Sequence, residues 1–151
     1  MKIKRTLFAV LVVSLLVIGI SVFAQVKRPW HNGSVWALSF IHMKPGMDNA
    51  YLNYVTGEWK KEQEALKAQG IILSYKVLET EGHTAGDWNL ILMVQYKDLA
   101  SLEANEVKED TVLQQVAGDD QKQMQGYKER AEIREVTGVR IAREIVLEPR
   151  M

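Results

Sequence analysis

The chain has 151 residues, of which 47% are hydrophobic and 25% are charged, and its basic and acidic residues balance at a formal net charge of zero. This length fits one globular domain, and no basic face or basic–aromatic alternation favours nucleic acid as a partner. The absence of cysteine excludes disulfides and any cysteine-based metal or redox site.

Residues 1–24 have the layout of a secretory signal peptide: a basic start, the apolar run Leu7–Ile20, and small residues before a cleavage point at Ala24–Gln25. We expect cleavage there and an exported protein, periplasmic or secreted. Its net charge would be −3, because the leader holds three basic residues and no acidic residue. The alternative is an uncleaved leader that anchors the protein, because the apolar run approaches the roughly 20 residues that span a bilayer.

The segment 25–33 is polar and turn-prone and is predicted to be a flexible N-terminal arm ahead of a single domain at 34–148. Ser34–Met43 is predicted to be the first strand. A helix over Asp48–Gln69 follows, with Asp48 as its N-cap and Gly70 just beyond its C-terminus. Tyr51, Tyr54, Val55, Trp59 and Leu66 form the apolar stripe of this helix.

Two further strands, Ile71–Thr80 and Asp87–Tyr96, flank a turn-rich connection. The second of them is apolar on both faces, with Trp88, Leu90, Leu92, Val94 and Tyr96 on one face and Ile91 and Met93 on the other. A strand that is apolar on both faces is typical of the centre of a sheet that is covered on both sides.

The remaining residues are predicted to form a short helix at Leu99–Ala104, a charged connection at Asn105–Asp110 and a long helix interrupted at Gly118. The two parts of the long helix are Thr111–Ala117 and Asp119–Val136, and Asp119 can cap the second part. Its predicted inward-facing residues are Val112, Val116, Met124, Tyr127 and Ala131. Gly138 would end the helix, and Val139–Leu147 would be the last strand.

The element order is therefore strand, helix, strand, strand, helix, strand, which predicts an α+β ferredoxin-like βαββαβ fold. In this fold two helices cover one face of a four-stranded antiparallel sheet, with the first and third strands in the middle. Charged residues agree with this order, because Lys76 in the second strand and Arg140, Arg143 and Glu144 in the fourth would protect exposed edges.

The helices leave one sheet face open, and that face would display a set such as Trp36, Leu38, Phe40, Ile72, Ile91 and Met93. An apolar patch of this size is larger than a soluble monomer usually exposes. We therefore predict a homodimer that forms through the open sheet face. The alternative is a monomer with an unusually apolar sheet.

Two segments carry a resemblance to a known superfamily: the turn Met43–Asp48 after the first strand, and the ending Ile133–Ile145. Together with the element order over Ser34–Leu147, they resemble the dimeric α/β-barrel superfamily, and most of all exported bacterial proteins of unassigned role within it. The resemblance implies two ferredoxin-like units packed sheet against sheet, with a pocket between helices and sheet in each. Relatives that use haem take a histidine from a helix. Here His31, His42 and His83 all lie outside the predicted helices, so haem is not expected.

Among single residues, His42 is the best catalytic candidate, because it lies at the end of a strand where a pocket could open. Its alternative role is a strand-end histidine that bonds to backbone or solvent.

An aromatic ligand-binding wall is predicted from Tyr54, Trp59, Tyr75 and Trp88, although core packing explains the same residues. The alternating charges Glu129, Arg130, Glu132, Arg134 and Glu135 are interpreted as a solvated helix face. No metal-ligand spacing is present, and no cofactor is expected.

Two functions follow from these residues. The first is an exported dimer that binds a small apolar or aromatic molecule without catalysis. The second is a cofactor-independent monooxygenase or isomerase that acts on a phenolic or quinone-like substrate, with His42 as its base and aromatic side chains that position the ring. Sequence patterns alone leave both open.

Overall fold

A computed structural model describes residues 28–80 and 87–148. The predicted leader and the loop that holds His83 lie outside these residues. The elements are β1 (Trp30–Met43), α1 (residues 48–68), β2 (Ser74–Glu79), β3 (Leu90–Tyr96), α2 (Leu99–Ala104), α3 (Glu106–Ala117), α4 (Asp120–Ile133) and β4 (Arg134–Leu147).

All strand pairs are antiparallel, and the strand order across the sheet is β2-β3-β1-β4. The first and third strands therefore lie in the middle, as predicted from their apolar faces. This order, with one helical segment after β1 and a second after β3, confirms the ferredoxin-like α+β fold.

The first helix changes pitch in its middle. It runs as an α-helix over Asp48–Tyr54, as a π-helical turn over Val55–Trp59, and again as an α-helix over Lys60–Ala68. The predicted stripe residues Tyr51, Val55, Trp59 and Leu66 are buried. Gly70 has the positive φ of +66° expected after a helix end. The prediction of Asp48 as N-cap is wrong, because Met47 holds that position without a side-chain bond and Asp48 lies in the first turn.

The helices between β3 and β4 are split differently from the prediction. Asn105–Asp110, predicted to be a connection, belongs almost wholly to α3, which starts at Glu106. The break at Gly118 is confirmed, since its φ is +102°. The cap is confirmed as well, because the Asp119 side chain accepts a hydrogen bond from the Lys122 backbone N–H at 2.9 Å.

Strand β4 begins at Arg134, five residues earlier than predicted, so the predictions that the helix continues to Val136 and ends at Gly138 are wrong. Phe40 pairs with Gly138 and Ile41 pairs with Val136, which leaves Thr137 as a β-bulge residue. Because one extra residue reverses the alternation of faces, Arg134 lies on the helix side of the sheet opposite Met43.

The other end of this pair is also longer than predicted. β1 begins at Trp30, and Trp30 to Asn32 pair with Leu147 to Ile145 of β4. Part of the predicted flexible arm is thus strand. A second irregularity between Asn32 and Val35 separates this extension from the main sheet.

The two sheet faces have different environments. On the helix side, Ile41, Met43, Leu90 and Leu92 are buried against Tyr51, Val55 and Trp59 of α1, and a second cluster joins Leu66, Ile71, Ile72, Tyr96 and Val112. Ile72 is only 2% exposed, so its predicted place on the open face is wrong. The strand register places Trp36, Leu38, Phe40, Ile91 and Met93 together on the opposite, open face.

Within the described residues, no helix combines the length and the apolar character that crossing a bilayer requires.

Candidate functional site

A cavity of about 350 Å³ lies among the helices, on the helix side of the sheet. α1 contributes Tyr54, Glu58 and Glu62, and α3 contributes Leu113 and Ala117. α4 contributes mainly polar and charged residues: Lys122, Gln123, Gln125, Glu129 and Arg130. A second cavity of about 190 Å³ shares Glu58, Glu62, Ala117 and Lys122 with the first. The resemblance implied a pocket between helices and sheet, whereas this cavity lies between helices.

The π-helical turn forms part of the cavity wall. Glu58 lies inside that turn, and Tyr54 immediately precedes it. Turns of this kind insert one residue into a helix and occur frequently at functional sites. Gly57 lies inside the same turn. A Cβ atom at Gly57 would have no neighbour within 4 Å, so close packing does not explain the glycine.

The ionisable groups of the wall are perturbed by burial. Burial raises the pKa of the Glu62 carboxyl, the nearby charge of Arg130 lowers it, and Glu58 raises it further. The pKa of Tyr54 is raised to about 12, first by burial and then by Glu62, against the opposing effect of Arg130. The cavity wall therefore favours neutral forms of both groups.

The guanidinium group of Arg130 lies over the ring of Tyr54, with 4.5 Å between its central carbon and the ring centroid. Gly126 makes room for it, because a Cβ atom there would lie 2.9 Å from Nη1 of Arg130. Four residues later, at the start of β4, the guanidinium carbon of Arg134 lies 5.8 Å from the ring centroid of Tyr51 and 5.2 Å from that of Tyr127. These contacts join the end of α4 to α1.

The interpretation of Arg130 and Arg134 as part of a solvated face is wrong. Arg134 is 8% exposed and Arg130 is half-buried. The prediction that Met124, Tyr127 and Ala131 face inward is also wrong, since all three are exposed. The sequence signals that could have revealed these arginines are Gly126, one turn before Arg130, and Gly138, a glycine within a strand that often marks a bulge.

The four predicted aromatic site residues do not form one wall. Only Tyr54 borders the cavity. The rings of Trp59 and Tyr75 pack edge to face with their centroids 5.4 Å apart, Trp59 within the core and Tyr75 against it. The Tyr75 hydroxyl donates a hydrogen bond to Glu64. The ring centroid of Trp88 lies 5.2 Å from that of Phe40, whose side chain is on the open face. The alternation of side chains along a strand predicted Trp88 on the same face as Leu90. That prediction is wrong, because β3 begins only at Leu90 and the alternation does not extend to Trp88.

His42 is on the open side of the sheet, between Ile41 and Met43 of the helix side. Its Nδ1 donates a hydrogen bond to the backbone carbonyl oxygen of Asp87 at 2.6 Å. It is absent from the wall of the helical cavity. His31 lies in the β1–β4 extension with Nδ1 2.6 Å from a carboxylate oxygen of Glu148. Within 28–80 and 87–148, no group of three or more potential metal ligands comes together.

The open face has an apolar centre with a polar border. At one end, side-chain hydrogen bonds cross all four strands. The Ser74 hydroxyl donates to Oε1 of Gln95 at 2.5 Å, and Nε2 of Gln95 donates to the Ser34 hydroxyl at 2.7 Å. The Ser34 hydroxyl in turn donates to a carboxylate oxygen of Glu144 at 2.7 Å. Lys76 covers part of Trp36, with its Nζ 5.4 Å from the ring centroid. An apolar centre within a polar rim is typical of protein interfaces.

The comparisons with known proteins are distant. No family model matches the chain, and no curated protein matches it. Among solved structures, HapK from Hahella chejuensis superposes with a TM-score of 0.48 at 10% identity, over 73% of this chain and 91% of that chain. A dimeric ferredoxin-like protein from an uncultured marine organism superposes with a TM-score of 0.37 at 16% identity, over 78% of this chain and 96% of that chain. Similarities of this extent carry no argument about what this chain binds or does.

Proposed function

We propose that this protein is a homodimer that binds a small aromatic molecule, without catalysing a reaction, in the cavity among its helices. The observation that carries the proposal is the cavity itself. Its volume of about 350 Å³ is that of a small-molecule site, and Tyr54, Leu113 and Ala117 give it an apolar part beside polar groups.

A ligand screen by thermal unfolding tests the binding. Compounds with one aromatic ring should raise the melting temperature, because a ligand that binds only the folded state stabilises it. Ala117→Phe should abolish the shift, since its side chain would occupy the cavity. Ala104→Phe is the matched control, because Ala104 is exposed at the end of α2 and does not border the cavity. Shifts that survive Ala117→Phe would place the ligand elsewhere.

The homodimer is supported by the open face. Leu38 and Met93 pair at its centre, and Trp36, Phe40 and Ile91 surround them. Light scattering should report twice the chain mass for the wild type and a single chain mass for Leu38→Asp, because a carboxylate at the centre of an interface must be desolvated. Val107→Asp, at an exposed position on α3, should leave the mass unchanged. A wild-type protein of single chain mass would contradict the homodimer.

A cofactor-independent monooxygenase or isomerase is the second candidate, and one observation favours it. Glu62 is a carboxylate of raised pKa in the same cavity as Tyr54 and Arg130, and a raised pKa suits a general base. The position of His42 gives this candidate less support, because the imidazole bonds to backbone on the other side of the sheet. Consumption of a phenolic or quinone-like compound by the wild type, and not by Glu62→Gln, would favour the enzyme over the binding protein.

Export after cleavage near Ala24–Gln25 is also part of the proposal and rests on the sequence of residues 1–24 alone. N-terminal sequencing of the protein recovered from outside the cytoplasm should begin at Gln25.

A further inference from the structure

Two arginines four residues apart in the sequence place positive charge in and beside the wall of the cavity. Arg130 lies in the last turn of α4 and borders the cavity, and Arg134 is the first residue of β4 and is buried. The Nε atoms of both are buried and make no hydrogen bond within the described part of the chain. Buried polar atoms are nearly always hydrogen-bonded, so two such atoms on neighbouring arginines require an explanation.

Neither arginine has a carboxylate partner among residues 28–80 and 87–148. Within these residues, the sole pair of a basic nitrogen and a carboxylate oxygen within 4 Å is His31 with Glu148. Their neighbours are tyrosine rings, with Tyr54 against Arg130, Tyr51 against Arg134, and Tyr127 between them. An aromatic ring attracts a cation but does not neutralise it. Removing a cation from water is costly when no carboxylate of the described residues lies within 4 Å, as for the buried Arg134 and the half-buried Arg130, so the cluster favours an anion beside it.

We propose that the cavity binds a small aromatic carboxylic acid, whose carboxylate pairs with the guanidinium group of Arg130. This inference rests on the proposed function and names the class of its ligand. The planar fork of a guanidinium matches a carboxylate with two parallel hydrogen bonds. Arg134 is outside the wall and acts through its charge alone, while Leu113 and Ala117 provide an apolar surface for the ring.

The three glutamates of the wall do not remove this preference. Glu58 and Glu129 are exposed, so water screens their charges. Glu62 is half-buried, burial raises the pKa of its carboxyl, and wherever that carboxyl is protonated it can donate a hydrogen bond to a bound carboxylate. Lys122 adds a second positive charge at the opposite end of α4.

Benzoate, benzamide and benzylamine test the inference, because they share a ring and differ in the charge of one group. Calorimetric titration of the full chain should give benzoate at least tenfold tighter binding than benzamide and no binding of benzylamine. Arg130→Gln and Arg130→Lys should both weaken benzoate binding at least tenfold and leave benzamide unchanged, since a lysine keeps the charge and loses the paired hydrogen bonds. Lys128→Gln is the control, because Lys128 is exposed on the same helix and does not border the cavity.

The outcomes separate the inference from the proposed function. Equal binding of benzoate and benzamide, or tighter binding of benzylamine, would overturn the acid as the ligand class and leave the binding function standing. No binding of any of the three to the wild type would overturn both. Arg130→Lys guards against misfolding of the glutamine variant, and its circular dichroism spectrum should match that of the wild type. Benzoate binding that Arg130→Lys leaves unchanged would overturn the pairing with Arg130.

Discussion

Replacing Gly126 by alanine should separate the intrinsic stability of α4 from its attachment to α1. A glycine inside a helix costs about 1 kcal/mol relative to alanine, so the substitution by itself should stabilise the protein by that amount. The added methyl group would, however, lie 2.9 Å from Nη1 of Arg130. The guanidinium group must then move away from the ring of Tyr54, which it meets at 4.5 Å.

The expected magnitude follows from these two opposing effects. A cation–aromatic contact is worth about 0.5 to 2 kcal/mol, more where it is desolvated. The net change for Gly126→Ala should therefore lie between about 0.5 kcal/mol of stabilisation and 1 kcal/mol of destabilisation. Gly57→Ala should give the full gain of about 1 kcal/mol, because an added Cβ atom there meets nothing within 4 Å.

Urea unfolding followed by circular dichroism measures these differences, and a double-mutant cycle isolates the contact. In an Arg130→Gln background, Gly126→Ala should recover the full stabilisation, since no guanidinium group remains to be displaced. The reasoning is refuted if Gly126→Ala stabilises the wild type as much as it stabilises the Arg130→Gln variant. Arg130 would then contribute nothing through its contact with Tyr54.

Three further substitutions test other parts of the structure. Asp119→Ala should lower the free energy of unfolding by about 1 kcal/mol, because its side chain caps α4 at the Lys122 N–H; Asp110→Ala, at an exposed position inside α3, should not. Glu62→Gln should gain stability over the wild type as pH rises from 4 to 8, because the folded protein holds the Glu62 proton more tightly than the unfolded chain does; a difference that shrinks with rising pH in urea unfolding would contradict the raised pKa. Arg134→Met should leave thermal stability unchanged or raise it, because methionine fills similar space without a buried uncompensated charge; a large loss would reveal a partner for Arg134.

The sheet was predictable from sequence because its signals are local. Apolar residues on both faces of β1 and β3 indicate central strands, and the alternation along each strand identifies residues that share a face. Trp36, Leu38 and Phe40 were grouped correctly in this way. The alternation fails where the strand is irregular, as at Trp88, which precedes β3, and at Arg134, which follows the reversal of faces at Thr137.

The cavity was not predictable because it depends on the placement of α4. None of the α4 residues is fully buried, so its sequence carries no clear apolar stripe that would show which side faces α1. Charges at helical spacing normally indicate a solvated face, and Arg130 follows that pattern in sequence. Only the packing of α4 against α1 brings Arg130 over Tyr54 and leaves the space beside it.

The open face and the helical cavity lie on opposite sides of one sheet, so dimerisation and ligand binding should be separable. A buried layer that includes Ile41, Leu90 and Leu92 lies between them, and Leu38 of the open face does not border the cavity. Leu38→Asp should therefore remove the dimer and keep the affinity for benzoate. If the monomeric variant loses benzoate binding while its circular dichroism spectrum is unchanged, a second copy must complete the cavity, and the separation of the two surfaces by the sheet is the wrong description of this protein.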